Sequence, residues 1–335
     1  MADQGGVRHV QTSKGREASR ARSLDGVCGL VWLTGRSQVQ ALPGSDLVAF
    51  TRVLHRSKDD GLEVEVPTVR VKPLDPACDV QCGFVVKDRP YAMRQFLDEP
   101  SNVLASHIFL AETDYVFLRP LALPASEAEL PMGFPFGYIL PNWPTITHIM
   151  RRHFPEEHGD LKRLSWGSHG EGSGPAPVLI SAADLKLITP EWERITAAIE
   201  ADDEARETLG WVREMYAYTI AATIVDRPHK LAPAAQSKLM VQPPADHKTF
   251  SAAIAHYTWG SELYAGGKKD AGGSKVWEFD KRRFSGAGPT GQLPLPPTEI
   301  PSGGMFLQDG VAVTPDLLAT LMLLIKAINE GLPKP

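Results

Sequence analysis

Apolar residues along the chain recur in two rhythms. Short dense runs at 27–33 (VCGLVWL), 43–55 (PGSDLVAFTRVLH), 66–74 (VPTVRVKPL) and 106–112 (SHIFLAE) have the length of buried strands, while 89–99 (RPYAMRQFLDE) shows helical spacing. Strands alternating with helical patterns predict an α/β fold with a mixed, mostly parallel sheet flanked by helices. Further helices are expected at 143–154, at 182–200 with a break at Pro190, and at 204–226, followed by a strand at 251–260. Residues 285–314 read as a Pro/Gly-rich linker. Residues 315–331 read as an amphipathic C-terminal helix, opened by Thr314 as N-cap and Pro315 at its first position. Residues 1–26, polar and rich in Arg, Ser and Gly, read as a disordered leader, which leaves 27–284 as the main folded domain.

Composition narrows the functional classes. With 335 residues, 43% of them apolar, the chain can bury a substantial core. A formal charge of −5 excludes the broad basic field that binds nucleic acid, so a phosphorylated ligand must be met by local cations or a metal. No apolar run is long enough to span a bilayer, and no apolar signal region follows Met1. Cys28, Cys78 and Cys82 are too few for a disulfide framework.

Four stretches could carry chemistry. In FLAETDYVFLRP, Glu112 and Asp114 sit at i and i+2 where a strand ends, so both carboxylates can reach one point outside the sheet and suit Mg²⁺ or Mn²⁺. The same spacing also serves turns and caps. His256, shortly before Trp259-Gly260, adds a nitrogen to that oxygen pair if the fold brings it there; alone it reads more readily as a satisfied core or surface histidine. On one continuous helix Trp211, Glu214 and Tyr218 would fall at i, i+3 and i+7, joining an indole, a carboxylate and a phenol on one face, unless Glu214 is simply solvated. The Gly-rich run 167–181 lacks phosphate-loop and dinucleotide patterns and reads as a flexible lid or acceptor loop.

Taken in order, PGSDLVAFTRVLH, DRPYAMRQFL, AETDYVFLRPL, GFPFGYI, FPEEHG, PAPVLIS, GWVREMYAY, MVQPP, HYTWG and WEFDKRRF make the chain resemble the plant and algal hydroxyproline O-arabinosyltransferases. The resemblance implies a GT-A-type glycosyltransferase domain. It implies transfer of L-arabinofuranose, with retention, from UDP-arabinofuranose to the 4-hydroxyl of hydroxyproline in a Pro-rich peptide. It further implies a Mn²⁺ or Mg²⁺ site at Glu112, Asp114 and His256, with Glu214 near the reacting centre and Trp211 and Tyr218 beside it. Donor contacts are implied at Pro43, Gly44, Ser45, Arg52, Arg89, Thr113, Trp259, Gly260 and Lys281, or Arg282 in place of Lys281. Tyr216, Tyr218, Trp259, Trp166 and Phe136 are the aromatics expected to line a groove for a polyproline II acceptor. The Golgi is the implied compartment.

Relatives in that family carry a membrane anchor, then a first strand and a helix ahead of the P-G-S segment. Here only Thr34–Leu42 separates the apolar run 27–33 from Pro43, short of the dozen residues a parallel crossover needs. The first unit is therefore expected to be abbreviated. Two alternatives stay open: a peptidyl serine galactosyltransferase-like enzyme, and an inactive glycan- or peptide-binding relative.

Overall fold

A computed structural model describes residues 7–13, 45–59, 61–64, 66–76, 79, 83–233, 236–257, 260–284 and 291–332. The chain forms two compact units: one holds the described residues up to Glu112 together with Leu121–Leu239, the other holds Thr113–Pro120 and the chain from Met240 onward. Among the described residues no helix is long and apolar enough to cross a membrane.

The first unit is built on a seven-stranded sheet in the order β3-β2-β1-β4-β7-β6-β8. Its strands are β1 (Val7–Ser13), β2 (Leu47–His55), β3 (Thr68–Val71), β4 (His107–Ala111), β6 (Met132–Gly133), β7 (Val178–Ser181) and β8 (Lys230–Leu231). β3, β2, β1 and β4 run parallel. β7 then pairs antiparallel with both β4 and β6. β4 is apolar and buried after His107, and β2 is mostly buried as well, with Thr51, Arg52 and His55 among its buried residues.

β1 lies within the stretch that reads as a leader, and the apolar run 27–33 lies outside the described residues. With β1 at Val7–Ser13, residues 14–46 connect it to its parallel neighbour β2, ample for a crossover. The short Thr34–Leu42 interval therefore does not limit this connection.

Helices α1 (Arg89–Asp98), α2 (Thr147–His153), α3 (Ala182–Ala201), α4 (Asp203–Leu209) and α5 (Arg213–Ile224) complete this unit, with α3 packed on both α1 and α5. Two helical expectations are corrected. α3 runs unbroken through Pro190, which has no N–H to return to Lys186, while the neighbouring Thr189 hydroxyl donates to the Leu185 carbonyl at 2.6 Å. The segment 204–226 is instead divided, because Gly210 takes φ +54° and a 3₁₀ turn over Gly210–Val212 separates α4 from α5.

The second unit holds two three-stranded sheets. β5 (Tyr115–Phe117), β10 (Ile254–His256) and β9 (Met240–Val241) form one, and β12 (Ser274–Asp280), β11 (Gly260–Ala265) and β13 (Met305–Leu307) form the other. α6 (Pro315–Gly331) starts where the Thr314 hydroxyl accepts from Leu317 N at 3.2 Å. Its buried face of Leu317, Leu321, Leu324 and Ile328 packs with Val116, Tyr257, Trp277 and Leu307 in a single apolar cluster.

The expectation of one large, mostly parallel sheet is thus corrected to mixed α/β with three sheets. Residues 113–120 leave the first sheet to build another, and β7 enters the first one antiparallel.

Candidate functional site

The chain passes from the first unit to the second within the acidic motif, between Glu112 and Thr113. In the second unit, β5 pairs antiparallel with β10 so that His256 stands opposite Tyr115. That register places the residue before β5, Asp114, beside the imidazole: His256 Nε2 lies 3.3 Å from Asp114 Oδ2. Lys281, just after β12, reaches the same oxygen at 2.5 Å. Burial by itself would raise the Asp114 carboxyl, but His256 and Lys281 outweigh it and hold the group well below the usual carboxylate range. Asp114 Oδ1 is buried and accepts no hydrogen bond.

His256 is oriented from behind. Its Nδ1 lies 3.1 Å from Gln242 Nε2, and the Tyr115 ring sits 5.0 Å from its own. β9 pairs with β10 in parallel, Val241 opposite Ala255, so Gln242 is delivered next to His256 by the same sheet. Gln242 was missed from sequence as a site residue. Its only signal was its place in the MVQPP segment, where it follows two apolar strand residues.

In the first unit, Arg89 opens α1 and reaches both nearby acids. Its Nη2 lies 2.6 Å from Glu112 Oε1 and its Nη1 3.3 Å from Glu214 Oε2. Glu214 is 2% exposed. Burial pushes its carboxyl up to about 7; Arg89 pulls against that rise, Glu112 adds to it, and the Trp192 indole opposes it. The Trp192 N–H and Glu214 Oε1 face this buried space without meeting as a hydrogen bond.

One turn along α5, the Tyr218 hydroxyl lies 2.7 Å from His229 Nε2, and its ring stands edge-on to Trp192 at 5.1 Å. Burial, then the charge of Glu214, push that phenol well up. His229 Nδ1 faces the Arg227 carbonyl at 2.9 Å, which makes Nδ1 the protonated nitrogen and Nε2 the acceptor for Tyr218. Burial lowers His229 to about 4, so it is neutral at physiological pH.

The remaining expected residues scatter. Trp211 lies on the 3₁₀ turn, 61% exposed, against Phe84, and not on one helical face with Glu214 and Tyr218. Arg52 is buried in β2, where its Nε donates to Thr68 Oγ1 at 3.1 Å. The Ser45 hydroxyl accepts from Leu47 N and donates to the Leu121 carbonyl. Thr113 is half-buried in the turn between β4 and β5. At Gly260 a Cβ would lie 2.2 Å from the Phe279 carbonyl oxygen, so glycine there serves the close approach of β11 to β12. Pro43, Gly44 and Trp259 lie outside the described residues, and so does the Arg282 side chain.

The Gly-rich run is packed down and is no flexible lid. Gly172 N donates to the Ile139 carbonyl at 2.8 Å and Ser173 N to Thr219 Oγ1 at 3.2 Å. Cβ atoms at Gly172 and Gly174 would crowd Thr219 and Met215 of α5. The expected aromatic groove is corrected as well, since Phe136, Tyr216 and Tyr218 are core residues and only Trp166 of the described set reaches the surface.

Comparison with known sequences matches residues 31–231 to the hydroxyproline O-arabinosyltransferase family N-terminal domain and residues 253–307 to its C-terminal domain. The Medicago truncatula protein named hydroxyproline O-arabinosyltransferase RDN2 is 35% identical over 332 residues, covering 98% of this chain and 84% of that one. Hydroxyproline O-arabinosyltransferase 3 of Arabidopsis thaliana is 36% identical over 81% of this chain and 71% of its own length. Hydroxyproline O-arabinosyltransferase NOD3 of Pisum sativum is 36% identical over 78% and 73%. With both family domains matched in order and relatives similar over most of their length, the chain belongs to the hydroxyproline O-arabinosyltransferase family.

Proposed function

We propose that the chain is a glycosyltransferase that moves L-arabinofuranose from UDP-arabinofuranose to the 4-hydroxyl of hydroxyproline in a Pro-rich peptide, with retention, on a GT-A-type fold in the secretory pathway. The observation that carries this reading is the Asp114–His256 pair, 3.3 Å apart, inside a chain whose relatives bear that activity in their names. The nucleotide diphosphate leaves with more negative charge than it brings, and the chain that must meet it carries a formal charge of −5.

Glu112, Asp114 and His256 offer two carboxylates and one imidazole, an O,O,N donor set suited to Mn²⁺ or Mg²⁺. The unpartnered buried Oδ1 of Asp114 fits the same role, since it has lone pairs with no donor. A divalent ion bound there would supply positive charge to the diphosphate oxygens. Gln242 fixes the imidazole plane, and Lys281, 2.5 Å from Asp114 Oδ2, is the cation offered to the leaving phosphates. Thr113 stands between the two acids in sequence. Arg89 bridges Glu112 and Glu214, which orients both carboxylates. Glu214 is our assignment for the reacting centre, because burial keeps a proton on it up to about pH 7 and so lets one carboxyl both hold and release a proton near neutrality.

Incubation with UDP-arabinofuranose, Mn²⁺ and a hydroxyproline peptide, followed by mass spectrometry, should show pentose on the peptide and stoichiometric UDP. Folded protein that leaves the peptide unmodified with every divalent ion tried would defeat this reading.

A further inference from the structure

A cavity of about 580 Å³ opens in the first unit beside Trp166, His229 and Pro228, with Arg163, Ser165 and Lys230 at its rim. The volume is that of an ordinary ligand pocket. None of the groups described above for the sugar-transfer chemistry lines it.

Its aromatic wall has no polar valence left to offer. The Trp166 indole N–H donates to the Arg163 carbonyl at 3.0 Å and to Thr223 Oγ1 at 3.2 Å, and the indole stacks on His229 at 4.9 Å. The Thr223 hydroxyl donates onward to the Thr219 carbonyl, and both nitrogens of His229 are occupied by Tyr218 and the Arg227 carbonyl. A ligand therefore meets this wall through apolar and ring contacts alone.

The rim is rich in donors and carries one acid. Ser165 Oγ already accepts from Asn142 Nδ2 at 2.6 Å, which leaves its hydrogen to donate. Lys230 is exposed and makes no ion pair among the described residues. Asp226, the acid at the rim, stays largely exposed and accepts from Arg163 through one oxygen at 3.2 Å, and Arg163 also donates to the His158 and Thr223 carbonyls. With Arg163 engaged in this way and one lysine remaining, the pocket is poorly equipped to clamp a diphosphate.

An apolar wall edged by the Ser165 hydroxyl and the Lys230 ammonium is complementary to a chain that is apolar on its rings and offers carbonyl acceptors. Polyproline has that chemistry: proline has no N–H, and a polyproline II backbone leaves its carbonyls unbonded. We infer that the Trp166 pocket binds an extended, proline-rich segment of the acceptor, with a pyrrolidine ring on the indole and backbone carbonyls toward Lys230 and Ser165. This rests on the transfer reading above for the identity of the acceptor, and it assigns a subsite that sets acceptor specificity.

The test is calorimetry of the full chain with an unglycosylated hydroxyproline- and proline-rich peptide, against a Gly/Ser peptide of equal length. Trp166→Ala removes the ring contact. Because the indole also braces Arg163 and Thr223, Ala232→Trp serves as a second variant that fills the cavity and leaves that bracing alone. The wild-type chain should prefer the proline-rich peptide, and each folded variant should lose about tenfold or more of that affinity, as expected for loss of an aromatic anchor. No preference in the wild type, or wild-type affinity in folded Ala232→Trp, overturns the subsite. Pentose transfer measured on the same samples separates the two readings. Ala232→Trp transferring at wild-type KM sinks the subsite and leaves the activity standing. Peptide binding that Ala232→Trp abolishes, in a wild type that transfers nothing, supports the subsite and sinks the activity.

Discussion

Asp114 meets His256 at 3.3 Å because an antiparallel strand pair sets residue 256 opposite residue 115, although the two lie far apart in sequence. The carboxylate is also the point on which Lys281 converges. Asp114→Asn keeps the side-chain shape and removes the charge that His256 and Lys281 face. Mn²⁺ affinity by calorimetry and pentose transfer should each fall about 100-fold or more, while circular dichroism stays unchanged, because β5 and β10 pair through backbone groups. Wild-type Mn²⁺ affinity in the folded variant would remove Asp114 from the metal assignment.

Glu214 makes stability depend on pH. Its folded-state value is raised from 4.5 to about 7 by burial, against the pull of Arg89, so the folded state binds this proton more tightly than the unfolded chain. The favourable contribution is fully present below about 4.5 and is lost as pH rises through about 7, a difference on the order of 3 kcal/mol. Glu214→Gln carries no charge at any pH. It should be more stable than wild type at pH 8 and nearly equal at pH 4.5, as read from urea midpoints at the two values. Parallel pH profiles for the two proteins would show that the carboxyl does not titrate in this range.

At Gly260 the requirement is steric. A Cβ placed there would sit 2.2 Å from the Phe279 carbonyl oxygen and 2.6 Å from the Asp280 Cα, both backbone atoms of the paired strand. Gly260→Ala must therefore push β11 away from β12 at the start of their pairing, which should cost about 2 kcal/mol or more and lower the thermal midpoint. A variant as stable as wild type would mean the two strands part freely at this end.

The parts of the fold that were legible in sequence are those set by local pattern. β2, α1, β4 and the Thr314 cap of α6 follow from apolar runs, helical spacing and cap chemistry within a few residues. The misses come from what apolar spacing does not report, namely distant partners and backbone conformation. Pro190 reads as a helix break, yet α3 continues through it while packed between α1 and α5. Gly210 breaks the next helix because it adopts positive φ, a choice invisible in the apolar spacing that runs across it, and so Trp211 is carried out to the surface. The site shows the same divide. Glu112 and Asp114 announce themselves as an acid pair, whereas the roles of Gln242, Trp192 and His229 exist only through pairing register and helix packing.

The buried Tyr218–His229 contact is a case where one atom should be measurable. His229 Nδ1 is committed to the Arg227 carbonyl, so Nε2 is an acceptor whose donor at 2.7 Å is the Tyr218 hydroxyl. Tyr218→Phe keeps the ring that stands edge-on to Trp192 and takes away only that oxygen, leaving the imidazole nitrogen without a donor in a space closed to water. Losing one partner of a buried pair costs about 1–3 kcal/mol, more than the net worth of the bond, because the orphaned group has lost its water as well. The urea midpoint should fall by that amount with an unchanged slope. Since Trp166 stacks on the same imidazole, its fluorescence should shift in the folded variant as the ring loses its anchor. A stability loss with unchanged Trp166 emission would mean that the Arg227 carbonyl alone fixes the His229 ring.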